Sequence, residues 1–230
     1  MVFRRLEQLV PEFHQFIAAR AAAFGMSRDL LGARVFGRWA SGAPLERAPL
    51  RDDVLLANDS MRNNDFDYGD DPFQRRCPYA AHIRKTYPRD DPPEGEEAMQ
   101  LHRIMRSGIT FGPEVQPGET RTQHSRGLMF VCYQIAIERQ FEFIQSGFAN
   151  NPGFVPGKRR PDSSSPVTPG FDMVVGQAPA NGPRQMDEPV PNYPVGNRRT
   201  ALEMPDQFVR LTAAGYFFMP SLSALRNVLT

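Results

Sequence analysis

Two adjoining stretches decide the fold class: GLMFVCYQIAI, residues 127–137, and ERQFEFIQSGFA, residues 138–149. The first is rich in β-branched and aromatic residues and carries no charge, which suits a strand buried within a sheet. The second places Phe141, Ile144 and Phe148 at helical spacing. A buried strand that runs into a helix, in a chain with long loops, predicts an α+β fold.

Working outward, Val2–Leu6 alternates like a strand. A helix is expected next, with Pro11 early, Phe13, Phe16, Ile17 and Phe24 on its apolar face, and Gly25 ending it. A second, shorter helix runs from Ser27 as N-cap through Leu30, Leu31 and Val35 to Gly37. Residues 104–112 read as strand or strand end. Two strands are expected near the C-terminus, over 208–211 and 215–219, followed by a helix from about Pro220 with Ser221 or its neighbour as cap. The 22 prolines fall mostly in 88–93, 152–169 and 179–205, which predicts long loops there. No internal repeat is present.

A chain of 230 residues suits one domain, taken as 1–230. The net charge of +1 gives no general attraction to nucleic acid or to an acidic membrane. Cys77 and Cys132 have no C-x-x-C spacing and read as free thiols. Apolar runs fall short of a membrane span, and the first residues do not read as a signal peptide. A soluble, cytoplasmic protein is the default expectation.

There are four histidines. His14 sits in the first helix as a packing or surface residue, and His102 and His124 lie in polar, basic loops. No pair has the spacing of a zinc site. His82, within CPYAAHIRKTYPRDD (Cys77–Asp91), follows two alanines that leave room for something large. One histidine suffices as the protein ligand to heme iron, because the porphyrin supplies four nitrogens. Arg84 and Lys85 would suit the two propionates. Hydrolase and phosphate-loop motifs are missing. Asp65, Asp67, Asp70 and Asp71 lack calcium-loop spacing and read as a solvated turn. Arg103 and Arg106, taken alone, are a surface pair.

Seven strings occur in order: GRWASGAPL, NNDFDYGDD, CPYAAHIRKTYPR, HRIMRSGITFGPE, RGLMFVCYQIAIERQFEFIQ, GFDMVVGQ and GYFFMPSLSALR. Together they closely resemble the C-terminal half of the DyP-type (dye-decolorizing) peroxidases, from about Val2 to Leu225. The resemblance implies a ferredoxin-like domain of a dimeric α+β barrel, long Pro-rich loops, and heme b as cofactor. It implies reduction of hydrogen peroxide with oxidation of an organic donor such as a dye or phenolic.

Carried across, His82 is the proximal iron ligand, Asp172 the carboxylate that orients it, and Arg84 a propionate partner. Arg106 is the distal arginine, while Leu128 and Phe130 line the peroxide path. The family's distal aspartate sits in a Gly-x-x-Asp-Gly motif that occurs nowhere in this sequence. The chain therefore resembles a peroxidase without its N-terminal domain. Thr110 stands where a proline is usual, and Ala213 and Ala214 where glycines are. Alternatives at this point are a heme-binding but catalytically weak fragment and a cofactor-free α+β interaction module. A homo-oligomer stays open.

Overall fold

The strand that organises the molecule is β1 (Val2–Gln8), because it pairs on both edges. In the computed structural model, which describes residues 1–159, 166–177, 184–187 and 201–228, it lies inside a five-stranded sheet. All its pairings are antiparallel. The path is β2 (Met105–Arg106), β4 (Gly127–Tyr133), β1 and β7 (Val209–Tyr216), and β3 (Ile109–Phe111) also pairs with β4. A separate ribbon joins β5 (Arg184–Met186) to β6 (Leu202–Met204). The fold is α+β, as expected.

The first helices form where the sequence places them. In α1 (Val10–Ala23) Pro11 occupies the first turn, where no N–H is needed. Gly25 follows with φ +65°. Ser27 caps α2 (Arg28–Phe36), its hydroxyl accepting from Leu30 N at 3.1 Å. Ile17 and Ala21 of α1, Leu31 and Val35 of α2, and Met186, Leu202 and Met204 of the ribbon share one core. Phe13 meets Phe208 edge-on at 5.6 Å, a pairing that adds about 0.5–1.5 kcal/mol beyond area burial. The remaining helices are short: α3 (Val54–Asn58), α4 (His82–Thr86), α5 (Gly95–Gln100) and α6 (Leu222–Asn227), the last capped by Ser221.

Three details differ from the sequence reading. β4 stops at Tyr133, and residues 138–149 form two π-helical segments, Glu138–Glu142 and Ile144–Ala149. The two expected C-terminal strands are one, because β7 continues through Thr212, Ala213 and Ala214. A register shift opposite Arg5 and Leu6 absorbs the extra residue Thr212. The third Pro-rich stretch contributes both β5 and β6, although most of it lies outside the described residues.

Register sorts the sheet residues by face. Arg106 pairs with Cys132, and Cys132, Phe130 and Leu128 alternate along β4 opposite Val2, Arg4 and Leu6. These residues therefore project to one side. There Val2, Cys132 and Phe141 of the first π-helical segment form a small core. The other face carries exposed Met105, Ile109 and Met129.

Gly37 ends α2 with φ +86°, and a Cβ there would stand 2.4 Å from Ile83 Cγ1. That position needs glycine twice over, for its left-handed backbone and for close approach to α4. Gly37→Ala is expected to destabilise the protein by about 1–3 kcal/mol, read as a lower urea midpoint at unchanged m value.

Candidate functional site

α4 is five residues long, too short to be stable by itself, so what surrounds it decides where His82 points. Its N-terminal neighbours Ala80 and Ala81 are fully buried, and Ala80 O accepts from Met173 N at 3.3 Å. That bond brings the turn at 172–176 against the start of the helix. Asp172 in that turn is itself fully buried. Its Oδ1 accepts from Val174 N at 2.8 Å and Val175 N at 2.7 Å, and its Oδ2 lies 2.8 Å from His82 Nδ1. A carboxylate fixed by two backbone N–H groups can only accept from the imidazole. Nδ1 therefore carries the proton, and the Nε2 lone pair is left available. The imidazole remains a quarter exposed.

Arg84 is corrected by the structure. It is fully buried, and its guanidinium is taken up internally. Nε and Nη2 grip Asp91 at 2.5 and 2.9 Å. Nη1 donates to Asp71 Oδ2 at 3.0 Å and to Cys77 O at 2.6 Å, and Nη2 also donates to Asp71 O at 3.0 Å. Tyr68 and Tyr79 lie against its cation at 4.4 and 4.7 Å. Burial opposes its charge, but the Asp91 hydrogen bonds and the charges of Asp91 and Asp71 outweigh it and hold its pKa above the ordinary value. No donor remains for a propionate. Arg84 is instead the bolt that fixes α4.

Lys85 is likewise spent, donating to Asn151 O at 2.8 Å and to Phe154 O. Burial pushes its amine down to about 7, against the partial support of Asp172. Asp71 was expected in a solvated turn, yet it is buried and accepts from the backbone N–H groups of Arg75, Arg76 and Cys77 as well as from Arg84.

Arg106, Leu128 and Phe130 come together on one face of the sheet, and His82 and Asp172 come together on the helical side. The segment 138–149 links the groups: Phe141 packs on the sheet, and Ala149 O accepts from Asp172 N at 2.9 Å. Sequence reasoning missed Arg38 and Arg89. The positive charges of Arg89 and Arg106 both depress the pKa of Arg38, after its own partial burial. Arg38 therefore lies within electrostatic reach of both other guanidiniums. None of the three forms an ion pair among the described residues. Arg89 lies over Phe66 at 4.0 Å, with φ at +51°. Its position five residues beyond Arg84 gave no sequence signal beyond its charge.

The family model described as Dyp-type peroxidase, C-terminal, matches residues 33–155, more than half the chain. The chain belongs to the DyP-type peroxidase family. It is 42% identical to a dye-decolorizing peroxidase of Auricularia auricula-judae, covering 98% of this chain and 45% of that protein. Among solved structures, an ancestral D-type dye-decolorizing peroxidase superposes with a TM-score of 0.85 at 45% identity, over 99% of this chain and 50% of that one. A second, from work on asymmetric sulfoxidation by engineering the heme pocket of a dye-decolorizing peroxidase, gives 0.83 at 40% identity, over 99% and 52%. This DyP-type chain thus spans about half the length of the relatives it matches.

Removing the Arg84 charge leaves Asp71 and Asp91 ionised in the interior. Arg84→Ala is expected to cost about 3–5 kcal/mol in a denaturant titration, far more than a surface arginine. Lys158, 2.7 Å from Asp91, still compensates part of that charge.

Proposed function

We propose that this chain is the heme-ligating C-terminal domain, residues 1–230, of a peroxidase that reduces hydrogen peroxide and oxidises an organic donor such as a dye or phenolic. The observation that carries the reading is the His82–Asp172 pair: a buried, backbone-anchored carboxylate that leaves one imidazole nitrogen unspent. Among the described residues no group of three or more His, Cys, Asp and Glu side chains is placed to hold a metal ion. A single imidazole suits a cofactor that brings its own remaining donors, and this donor set fits heme, taken here as heme b.

His82 would hold the iron through Nε2, and Asp172 would keep Nδ1 protonated and make Nε2 more basic. Bound heme supplies the redox chemistry that cleaves peroxide and draws electrons from the donor. Arg106 would act as a fixed cation toward negative charge gathering on oxygen, since a guanidinium stabilises anions without giving up its proton. Leu128 and Phe130, on the same sheet face as Arg106, would keep bulk water from that region. With Arg84 and Lys85 committed internally, Arg89 and Arg38 are the better partners for the carboxylates of the cofactor. A dedicated proton carrier of the Gly-x-x-Asp-Gly type is not encoded in this sequence. General acid–base help is worth roughly 10²–10⁴-fold, so this chain alone is expected to turn over slowly even when loaded.

Titration of the chain with hemin tests the assignment. The wild type is expected to give a Soret band with a histidine-ligated iron spectrum, and His82→Ala to lose that ligation. Asp172→Asn is expected to weaken heme retention about 10–100-fold while His82 still ligates. An unchanged ligation spectrum in His82→Ala, or no uptake by the wild type, would sink the proposal.

A further inference from the structure

Apart from the His82–Asp172 pair, a cavity of about 310 Å³ has five acidic residues in its lining, Glu46, Asp65, Asp67, Asp70 and Glu96, the last of which accepts from Tyr87 Oη at 3.0 Å. Three arginines share the lining, and each is engaged. Arg76 Nη1 donates to Glu46 Oε1 at 2.9 Å, Arg47 Nη1 donates to Asp65 O at 2.7 Å, and Arg89 stacks on Phe66. Five carboxyl groups against three guanidiniums leave the cavity net negative. Asp67 registers that excess: partial burial and the charges of Asp90 and Asp70 hold its carboxyl above the usual range.

Glu46 is the telling residue. Its side chain is 3% exposed, Arg76 takes one oxygen, and Oε2 is buried without a hydrogen-bond partner. A buried carboxyl oxygen left unpaired is costly, and an incoming N–H donor removes that cost. The cavity has room for several heavy atoms rather than one bare ion. The described residues also hold no cluster of three or more metal-ligating side chains.

We propose that this cavity binds a small organic cation, an alkylammonium or guanidinium compound, whose N–H groups donate to Glu46 Oε2 and to the carboxylates of Asp65 and Asp70. The site rests on Glu46, Asp65 and Asp70, none of which the heme reading uses; Arg89 alone belongs to both. Occupancy depends on Glu46 being ionised. Burial, then the charge of Asp71, raises its carboxyl to about 7, against the hydrogen bond of Arg76 and the charges of Arg84 and Arg76. Below that pH a proton must leave before the cation docks, so affinity falls toward tenfold per pH unit; above it, affinity levels off.

Calorimetric titration of the chain with putrescine and with agmatine, from pH 6 to 8, tests this, with 1,4-butanediol and Mn²⁺ as controls. The cations are expected to bind saturably and more tightly at pH 8 than at pH 6, and the diol not at all. Glu46→Gln is expected to weaken binding about tenfold or more at pH 8 and to flatten the pH profile. Asp70→Asn, on the exposed rim, is expected to weaken it a few-fold and keeps the test decisive if Glu46→Gln fails to fold. Absence of saturable binding, equal binding by both variants, or Glu46-dependent binding of Mn²⁺ in place of the diamines would overturn the proposal.

Discussion

The structure turns on one buried cation. Arg84 sits between Asp71 and Asp91, under the rings of Tyr68 and Tyr79, and Lys158 reaches Asp91 from the far side. Desolvating these charges costs several kcal/mol per ion, and a well-packed apolar replacement of similar volume would be no less stable in general. What the ion cluster supplies is position. Asp71 gathers the backbone at 75–77, Asp91 gathers the chain beyond α4, and Arg84 ties both to a five-residue helix that has no stability of its own. Charged hydrogen bonds are directional where apolar packing is not, so the helix is fixed in rotation as well as in depth.

That rotation is what His82 needs. Arg84 lies two positions along α4 from His82, and side chains two apart on a helix diverge. With Arg84 turned inward, His82 emerges at the margin of the core, a quarter exposed, where Asp172 meets it from a turn 90 residues away. Gly37 allows α2 to approach the next residue, Ile83, and Lys85 seals the last side against the carbonyls of Asn151 and Phe154. Each neighbour of His82 is thus consumed in holding the helix, and only the imidazole has a nitrogen to spare.

The legible parts of the fold are those governed by local chemistry. Pro11, Gly25, the Ser27 cap and left-handed Gly37 delimit the first two helices because each acts on its own backbone. The uncharged run in β4 marked the sheet for the same reason. Boundaries set by distant partners were not legible: β7 is one strand because β1 continues to pair with it through the extra Thr212, and the helical spacing after β4 says nothing about a π-helical register. The imidazole and its carboxylate were readable through resemblance. Arg84 was misassigned because charge in a sequence does not say whether its partner is a ligand or another part of the chain.

That distinction sorts the cations of the site. A guanidinium whose donors are all spent on internal carboxylates and carbonyls, as in Arg84, holds structure whatever its neighbours in sequence. Arg38 gives donors to the neutral oxygens of Gly42, Asn63 and Asn64, while Arg89 lies on an aromatic face, so neither forms an ion pair among the described residues. Arg106, on a strand whose face holds Leu128 and Phe130, has no acidic partner among the described residues. Arg38 feels the like charges of both Arg89 and Arg106, and like charges gathered in this way favour a nearby anion. The inward cation holds the helix, whereas Arg38, Arg89 and Arg106 form no ion pair among the described residues.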